Sequence, residues 1–512
     1  MKKIIIRILA VSLLAATVTA CAVSCKKNDV STDSESGSES QDVVTPEDSG
    51  DVSDPNTNDS LDAPEDLNFN GKTFTISYTA QSVADGEFTQ ETVTGSPISK
   101  AVYERNELMK TKFGAIVTSE KLGSEGQTVN RLEQMAMGGA SETDIAVGAS
   151  YQMVVASFKG YLADLRQHEG IINFEKDWYS QGYNDALSVG EKQYLIGGKM
   201  SLTYYRYMMG ILFNMDLFDA KQINYPFELV KNKQWTFEKM AELATNFYAD
   251  GGEGIRDKDD TYGYYVRMGT GTSMTDGFMS ACNLRVIGKD ESNYYKLDMN
   301  TERYSTAVDN VFTLLKSSGT FASTAISDED VAKHFANGGA AMVTLRMFNI
   351  EGEEIREMKN KGVLPYPMAD EEQDSYYTYV QDRCALFGVP TVYSESALEE
   401  NCQFLEVYGW ASYHKVKPAY YETMLTTRYV DDPDSVKMIE LMDENVYVDP
   451  VNIYCSGTDS FNAFSTVSPF RGLWASGNNT ISSLIASNVT KGQLQGQADK
   501  LNGYFKELAA RG

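Results

Sequence analysis

The chain has 512 residues, with 72 Asp and Glu against 45 Lys and Arg, and a formal net charge of −27. Residues 1–27 carry +5, residues 28–66 carry −13 and residues 67–512 carry −19. Beyond the extreme N-terminus there is no basic footprint of a nucleic-acid binder, and the acidity favours a neutral or cationic ligand unless a local basic pocket overrides it.

Lys2, Lys3 and Arg7 precede a mostly apolar run over residues 8–20 that ends in small residues. This is the pattern of a secretory signal, too short for a lasting membrane span. Val18-Thr19-Ala20-Cys21 resembles the lipobox of bacterial lipoproteins. The resemblance implies a signal peptide over 1–20 and a lipid anchor on Cys21, whose two acyl chains hold a membrane firmly. Cys25 follows Ala22, where an aliphatic residue is usual, and reads as a bystander. Residues 28–66 contain thirteen Asp or Glu, no Lys or Arg and no aromatics. Such a stretch buries too little apolar surface to offset its chain entropy, so residues 21–66 are expected to be a disordered acidic tether. As a coil it spans on the order of 40 Å.

From residue 67 strands and helices alternate. KTFTISY (72–78) reads as a strand, 97–113 as an amphipathic helix stopped by Gly114, and 115–119 as a second strand. A helix over 129–137 ends at Gly138-Gly139, and DIAVGA (144–149) is a nearly continuous apolar strand of the parallel-sheet type. Strands are expected again at 194–198 and 208–214, flanking SLTYYRY, which reads as a strand with Tyr205 and Tyr207 on one side. Thr236 caps a helix to 248; helices follow at 302–316 and 327–336, then strands at 340–345, 362–366 and 385–389. Ser396 to Glu399 reads as a capping box opening a helix through 408, and 417–502 reads as mostly helical.

Signals for catalysis are weak. The three histidines, His168, His334 and His414, are scattered, without metal-ligand spacing or a triad pattern. No phosphate-binding or nucleophile-elbow motif occurs, and paired carboxylates are uninformative among 72 acidic residues. DGGEGIRDKDD (250–260) hints at a calcium loop, but a loop starting at Asp257 puts Tyr262 where the turn requires Gly, and the segment reads as a solvated acidic turn. No metal or cofactor is expected. Cys282, Cys384, Cys402 and Cys455 are widely spaced without a CxxC; four cysteines allow three disulfide connectivities between which the sequence does not choose, and they read as free, buried thiols. Aromatic content is high, with 31 Tyr and 22 Phe.

Several segments in order resemble one family: RNELMKTKFGAIV (105–117), DIAVG (144–148) with GYLADL (160–165), LFNMDLF (212–218), FELVKNKQWTFEKM (227–240), FANGGAAM (335–342), LPYP (364–367) and YHKVKPAYY (413–421). They are similar to the extracellular solute-binding lipoproteins of bacterial ABC importers, the maltodextrin-binding-like family 1, and to its clostridial-type subgroup. The resemblance implies an α/β, two-lobe periplasmic-binding-protein-like (type II) fold with three interlobe crossings and a helical C-terminal region. One lobe is expected over 67–200 and 360–412, the other over 201–359 and 413–508, with crossings near 198–207, 348–362 and 409–418. The implied function is capture of a small solute, most simply a sugar or oligosaccharide, and delivery to a membrane permease. A surface-anchored glycan-active enzyme or an adhesin-type lipoprotein is the alternative. Carried over position by position, the ligand contacts are Tyr205 and Tyr207 in the first crossing, Arg346 and Phe348 after the FANGGAAM strand, and Phe464 in the C-terminal helices. Tyr151, just past the third strand, is supported independently, because open α/β sheets bind at the carboxyl ends of their strands. Trp235 is read as core.

Overall fold

The computed structural model describes residues 59–79, 83, 86–93, 95–124, 126–139, 143–269, 274–426, 432–454 and 467–511; Cys21, nearly all of the tether, Cys455 and Phe464 lie outside them. The first sheet is built as the N-terminal pattern indicates. Strands β1 (Thr73–Tyr78), β2 (Ile116–Lys121) and β3 (Ile145–Ala149) are parallel, and β11 (Ala385–Gly388) pairs antiparallel with β3, in the order β11-β3-β1-β2. Helix α1 (Pro97–Phe113) stops at Gly114, whose φ of 63° is left-handed and whose N–H closes the last turn on Lys110 and Met109. Helices α2 (Gln127–Ala136) and α3 (Ser150–Phe158) flank β3. Alternation along β3 sends Ile145 and Val147 into a core with Phe74, Ile76 and Phe404, and Ala146 into a second core with Leu132 and Met153. Phe404 stacks on Phe74 at 4.2 Å; burying one such ring contributes roughly 1.5–3 kcal/mol.

The second sheet has the order β10-β4-β9-β5-β8. It comprises β4 (Met209–Asn214), β5 (Tyr262–Arg267), β8 (Thr320–Ser323), β9 (Ala340–Arg346) and β10 (Lys361–Leu364). β5 runs parallel to β8 and β9, whereas β4 is antiparallel to both β9 and β10. A short hairpin of β6 (Ile287–Lys289) and β7 (Tyr295–Leu297) lies apart. Thr236 caps the helix Phe237–Thr245 by accepting from Lys239 N. A capping box between Ser327 and Asp330 opens the helix Asp328–Ala336. Trp235 is fully buried and donates from Nε1 to the Pro365 carbonyl at 3.0 Å.

Five sequence expectations change. SLTYYRY does not form a strand. Ser201 caps a short helix, Leu202–Arg206, so strand alternation does not apply to its tyrosines. Residues 194–198 form only one isolated bridge, Ile196 to Phe387, rather than a strand. β10 belongs to the second sheet through its register with β4, so the second crossing lies at 365–384, not 348–362, and the return to the first lobe begins after residue 364, not at 360. The helix expected from Ser396 starts at Glu395, with Ala397 and Leu398 bonded back to the Ser394 carbonyl, and continues to Thr426 over 32 residues. Finally, 413–508 is not the property of one lobe. Tyr454, Tyr504 and Phe505 all pack on Phe158 of α3, at 5.6, 5.2 and 5.8 Å between ring centroids.

The crossings run side by side. Gly198, with φ 140°, turns the chain against Ser180, where a Cβ would meet the backbone at 2.3 Å. After the Leu202–Arg206 helix, Met208 bridges Val380, Met209 N donates to the Tyr379 carbonyl, and Gln381 N donates to the Tyr207 carbonyl, both at 3.0 Å. The third crossing is the long helix Glu395–Thr426 itself. Its residues up to Ala411 pack in the first core, and Val416 and Tyr420 in the second.

Candidate functional site

Three strands of the two sheets end at one place. Tyr151 follows β3, and β5 and β9 end in Arg267 and Arg346. The carboxyl ends of parallel strands leave loop backbone and side chains free to meet a ligand. The crossing segment joins them: Ser150 N donates to the Cys384 carbonyl at 3.0 Å, and Ser150 Oγ to the Asp382 carbonyl at 2.6 Å. Tyr151 is thereby held on the first lobe next to the segment that carries Gln381 and Arg383.

On the second lobe the centre is Arg346. Its guanidinium lies 4.7 Å from the centroid of the Phe348 ring. It donates to Gln381 Oε1 at 3.1 Å and to Asp328 Oδ2 at 2.7 Å. Arg267 donates to the other oxygen of Asp328 at 2.9 Å, so one carboxylate serves two guanidiniums. Phe348 meets the Tyr207 ring edge-on at 5.7 Å. Beside Tyr207, Arg206 makes a bidentate pair with Glu351 at 2.9 and 2.7 Å. Tyr207, Arg346 and Phe348 are each half-buried, which leaves faces available at the edge of the second sheet. Burial raises the Tyr207 hydroxyl above its ordinary pKa, against the opposing charges of Arg206, Arg383 and Arg346. An amphipathic ring pair beside fixed guanidiniums suits a polyhydroxylated ligand, with stacking from the rings and hydrogen bonds from the arginines.

The structure brings together three of the expected contacts, Tyr207, Arg346 and Phe348, beside Gln381, and places Tyr151 in the chain directly after Ser150, which is bonded to residues 382 and 384. Tyr205 is not among them. It is 1% exposed, stacked on Tyr420 at 5.3 Å, edge-on to Tyr421, and its hydroxyl donates to the Lys199 carbonyl at 3.2 Å. The helical turn rotates Tyr205 about 200° from Tyr207, the physical reason for the correction. Phe464 lies outside the described residues. Gln381, Arg383, Arg267 and Asp328 were not singled out from sequence. Arg267 and Arg346 share one sequence feature, a basic residue closing an apolar strand.

A buried frame holds the crossing. Arg105 is fully buried and donates to the carbonyls of Glu87 and Phe88 at 3.0 and 2.7 Å. Glu87 in turn accepts from Ser201 Oγ at 2.6 Å and Leu202 N at 2.9 Å, fixing the start of the Leu202–Arg206 helix; burial raises its pKa. At the other end Tyr204 donates to the Asp443 carbonyl at 3.2 Å, and Lys199 and Lys417 approach the Asp443 carboxylate at 3.4 and 3.5 Å. First and third crossings are therefore pinned to one residue.

Two hollows, of about 450 and 210 Å³, lie elsewhere, along Lys176, Lys199 and Asp443 and along Arg285, Lys289 and Tyr447. Neither contains a residue of the Tyr207–Arg346 cluster nor lies at the end of a parallel strand, so we place the site at the cluster. In the 250–260 loop the acidic side chains are taken up by the chain itself: Asp250 accepts from Gly252 N and Gly254 N, and Asp260 from Gly251 N and Asp257 N. Among the described residues no group of three or more His, Cys, Asp or Glu is placed to hold a metal ion. Cys282, Cys384 and Cys402 are free and buried, and burial pushes the Cys384 and Cys402 thiols up to about 12.

No protein-family model matches the sequence, and no curated protein does. Solved structures match along most of its length. The sugar-binding protein MalE from Xanthomonas citri superimposes with a TM-score of 0.53 at 12% identity, covering 86% of this chain and 98% of that one. This chain has the two-lobe solute-binding fold. A sugar transporter from Rhizobium etli, in an open conformation, gives a TM-score of 0.52 at 14% identity, covering 83% and 99%. UgpB from Mycobacterium tuberculosis, in complex with glycerophosphocholine, gives 0.51 at 12% identity, covering 85% and 98%.

Proposed function

We propose that the protein is an extracytoplasmic solute receptor of an ABC import system. It captures a sugar or oligosaccharide between its lobes and passes it to a membrane permease, without chemical turnover. The observation that carries this reading is the half-buried Tyr207–Phe348–Arg346 group beside residues 381–384, placed where strands of both sheets end in a solute-binding fold. A ligand that touches both lobes favours the closed arrangement by its contacts with each, the basis of capture.

The test is a thermal-shift and calorimetric screen of the purified protein against maltose, maltotriose, other neutral disaccharides, pentoses and acidic sugars. A ligand at one hundred times its dissociation constant stabilises the fold by about 2.7 kcal/mol, a readable rise in melting temperature. With the best ligand, Tyr207→Ala is expected to weaken binding about tenfold to a hundredfold, through a lost ring contact and a lost hydroxyl bond. Unchanged affinity removes Tyr207 from the site.

Anchoring through Cys21 belongs to the same proposal. It would keep the receptor near its permease while the acidic tether lets it reach outward. Among the described residues no helix is long and apolar enough to cross a membrane. Cys21→Ser is expected to release the protein from the membrane fraction, and Cys25→Ser to leave it there. The reverse pattern, read by fractionation, transfers the anchor to Cys25.

A further inference from the structure

Apart from the three crossings, the two lobes are joined by the β6–β7 hairpin. The loop that follows the helix Gln181–Leu187 is rooted in the first lobe: Asn184 donates to the Phe174 carbonyl at 2.7 Å and accepts from Gln193 Nε2 at 3.0 Å, and Ile196 bridges Phe387 of β11. The hairpin is rooted in the second lobe, between the helices Asp276–Ala281 and Thr301–Leu315, where Phe278 meets Phe237 edge-on at 5.8 Å. Loop and hairpin are bonded to each other. Gly190 N donates to the Asn293 carbonyl at 3.0 Å, and Asn293 Nδ2 donates to the Gly190 carbonyl at 2.8 Å. Lys289 Nζ donates to the Ser188 carbonyl at 2.5 Å and to Ser188 Oγ at 3.0 Å. The Tyr295 hydroxyl, on a fully buried side chain, donates to the Ala186 carbonyl.

The backbone on both sides is shaped to this contact. Asn293 has φ 60° and Gly190 φ 59°, in the left-handed region where Gly and Asn are tolerated, and a Cβ on Gly190 would meet the Tyr294 hydroxyl at 2.9 Å. The hairpin is braced from the C-terminal helix Asn488–Arg511: Asn502 accepts from Tyr295 N at 2.9 Å and donates to its carbonyl at 2.8 Å. One turn on, Phe505 reaches Phe158 of the first lobe at 5.8 Å. Lys289 keeps the contact reversible. It is half-buried and bonded to two neutral acceptors of Ser188, so it gives up water without gaining a countercharge there, which offsets part of what the hydrogen bonds contribute.

We infer that the β6–β7 hairpin is a clasp between the lobes: it fastens the second lobe to residues 186–190 of the first, and it must let go before the lobes part. None of its bonding residues lies in a crossing or in the Tyr207–Arg346 cluster, and a contact away from the crossings is not kept when the lobes turn about them. The strength of the clasp then sets how often the protein opens, as a bias on the open–closed equilibrium that acts with or without a solute. The inference rests on the two-lobe fold and not on which solute is bound.

The experiment uses the purified protein without added solute and combines hydrogen–deuterium exchange with small-angle scattering. Asn293→Gly together with Lys289→Met removes the side-chain bonds, while glycine keeps the left-handed turn and methionine keeps an apolar stem beside the Tyr295 ring. In this variant the Gly190 N–H, which bonds across the clasp, is expected to exchange about tenfold faster, and the radius of gyration to rise. Lys289→Met alone, with a smaller shift in the same direction, carries the comparison if the pair of substitutions does not fold. Ser188→Asp offers Lys289 a carboxylate and is expected to act in reverse, slowing exchange at Gly190 with no rise in radius. An unchanged radius of gyration in the clasp variant overturns the inference even where Gly190 exchanges faster, because the hairpin then frays alone while the lobes stay together. No solute enters either measurement, so that result leaves the receptor reading standing, and the sugar screen decides that reading separately.

Discussion

Tyr205→Ala is expected to lower the unfolding free energy by about 3–5 kcal/mol, the cost of emptying a fully buried aromatic site. Tyr205 is walled by rings: Tyr420 stacked at 5.3 Å, Tyr204 perpendicular at 5.3 Å and Tyr421 at 5.8 Å. Its hydroxyl bond to the Lys199 carbonyl is lost as well, for about 1 kcal/mol of that total. The cavity cannot collapse freely, because the short Leu202–Arg206 helix is held at its start by Glu87 and at Tyr204 by Asp443. Affinity of the folded fraction should stay within tenfold of the unsubstituted protein, since the Tyr207 carbonyl keeps its bond from Gln381 N. Urea unfolding and calorimetry on the same preparation separate the two quantities. A large loss of affinity with little loss of stability returns Tyr205 to the binding site and restores the strand reading of SLTYYRY.

Glu406→Gln is expected to change how stability depends on pH. Glu406 lies on the long crossing helix, 3% exposed, and its Oε2 accepts from the Tyr179 hydroxyl at 2.6 Å. Burial pushes its carboxyl up to about 7, with the Tyr179 bond opposing. The protonated form is thus favoured in the folded state. Its contribution is fully present below the unfolded value near 4.5 and is lost as pH rises through about 7. The loss is on the order of 3 kcal/mol, because each tenfold rise in proton affinity on folding is worth about 1.4 kcal/mol. Glutamine keeps an acceptor for Tyr179 and carries no charge, so the variant should gain that amount relative to the unsubstituted protein between pH 5 and pH 8. Asp449, raised to about 6 by burial, and Glu87 shift in the same direction and remain in both proteins, so the difference between the two isolates Glu406. Parallel stability curves, measured by denaturant unfolding at the two pH values, would falsify the assignment.

Much of the first lobe was legible because its signals are local. The alternation of KTFTISY, the apolar run of DIAVGA and the stop at Gly114 each follow from the period of the element and the φ of one residue. The capping of Phe237–Thr245 by Thr236 is likewise written within a few residues. Tyr151 was expected from its place just past a strand, where an α/β sheet offers side chains to a ligand, and Arg346 from the family resemblance alone.

What the sequence could not decide is which distant group each segment meets. Residues 201–207 alternate well enough for a strand. They fold as a helix because Glu87, more than a hundred residues earlier, bonds Ser201 and Leu202, and because Tyr420 and Tyr421 receive Tyr205. β10 was recognisable as a strand, but only its pairing with β4 assigns it to the second sheet and moves the crossing to 365–384. Gln381 and Arg383 carry no local signature; they enter the site because that crossing lies against Tyr207 and Ser150. The overall charge was plain from composition, whereas the gathering of Arg206, Arg267, Arg346 and Arg383 in one place appears only when residues far apart in the chain are folded together. Periodicity reports which face of an element is buried; the partner it is buried against is a long-range fact, and in this protein the candidate site is made of such facts.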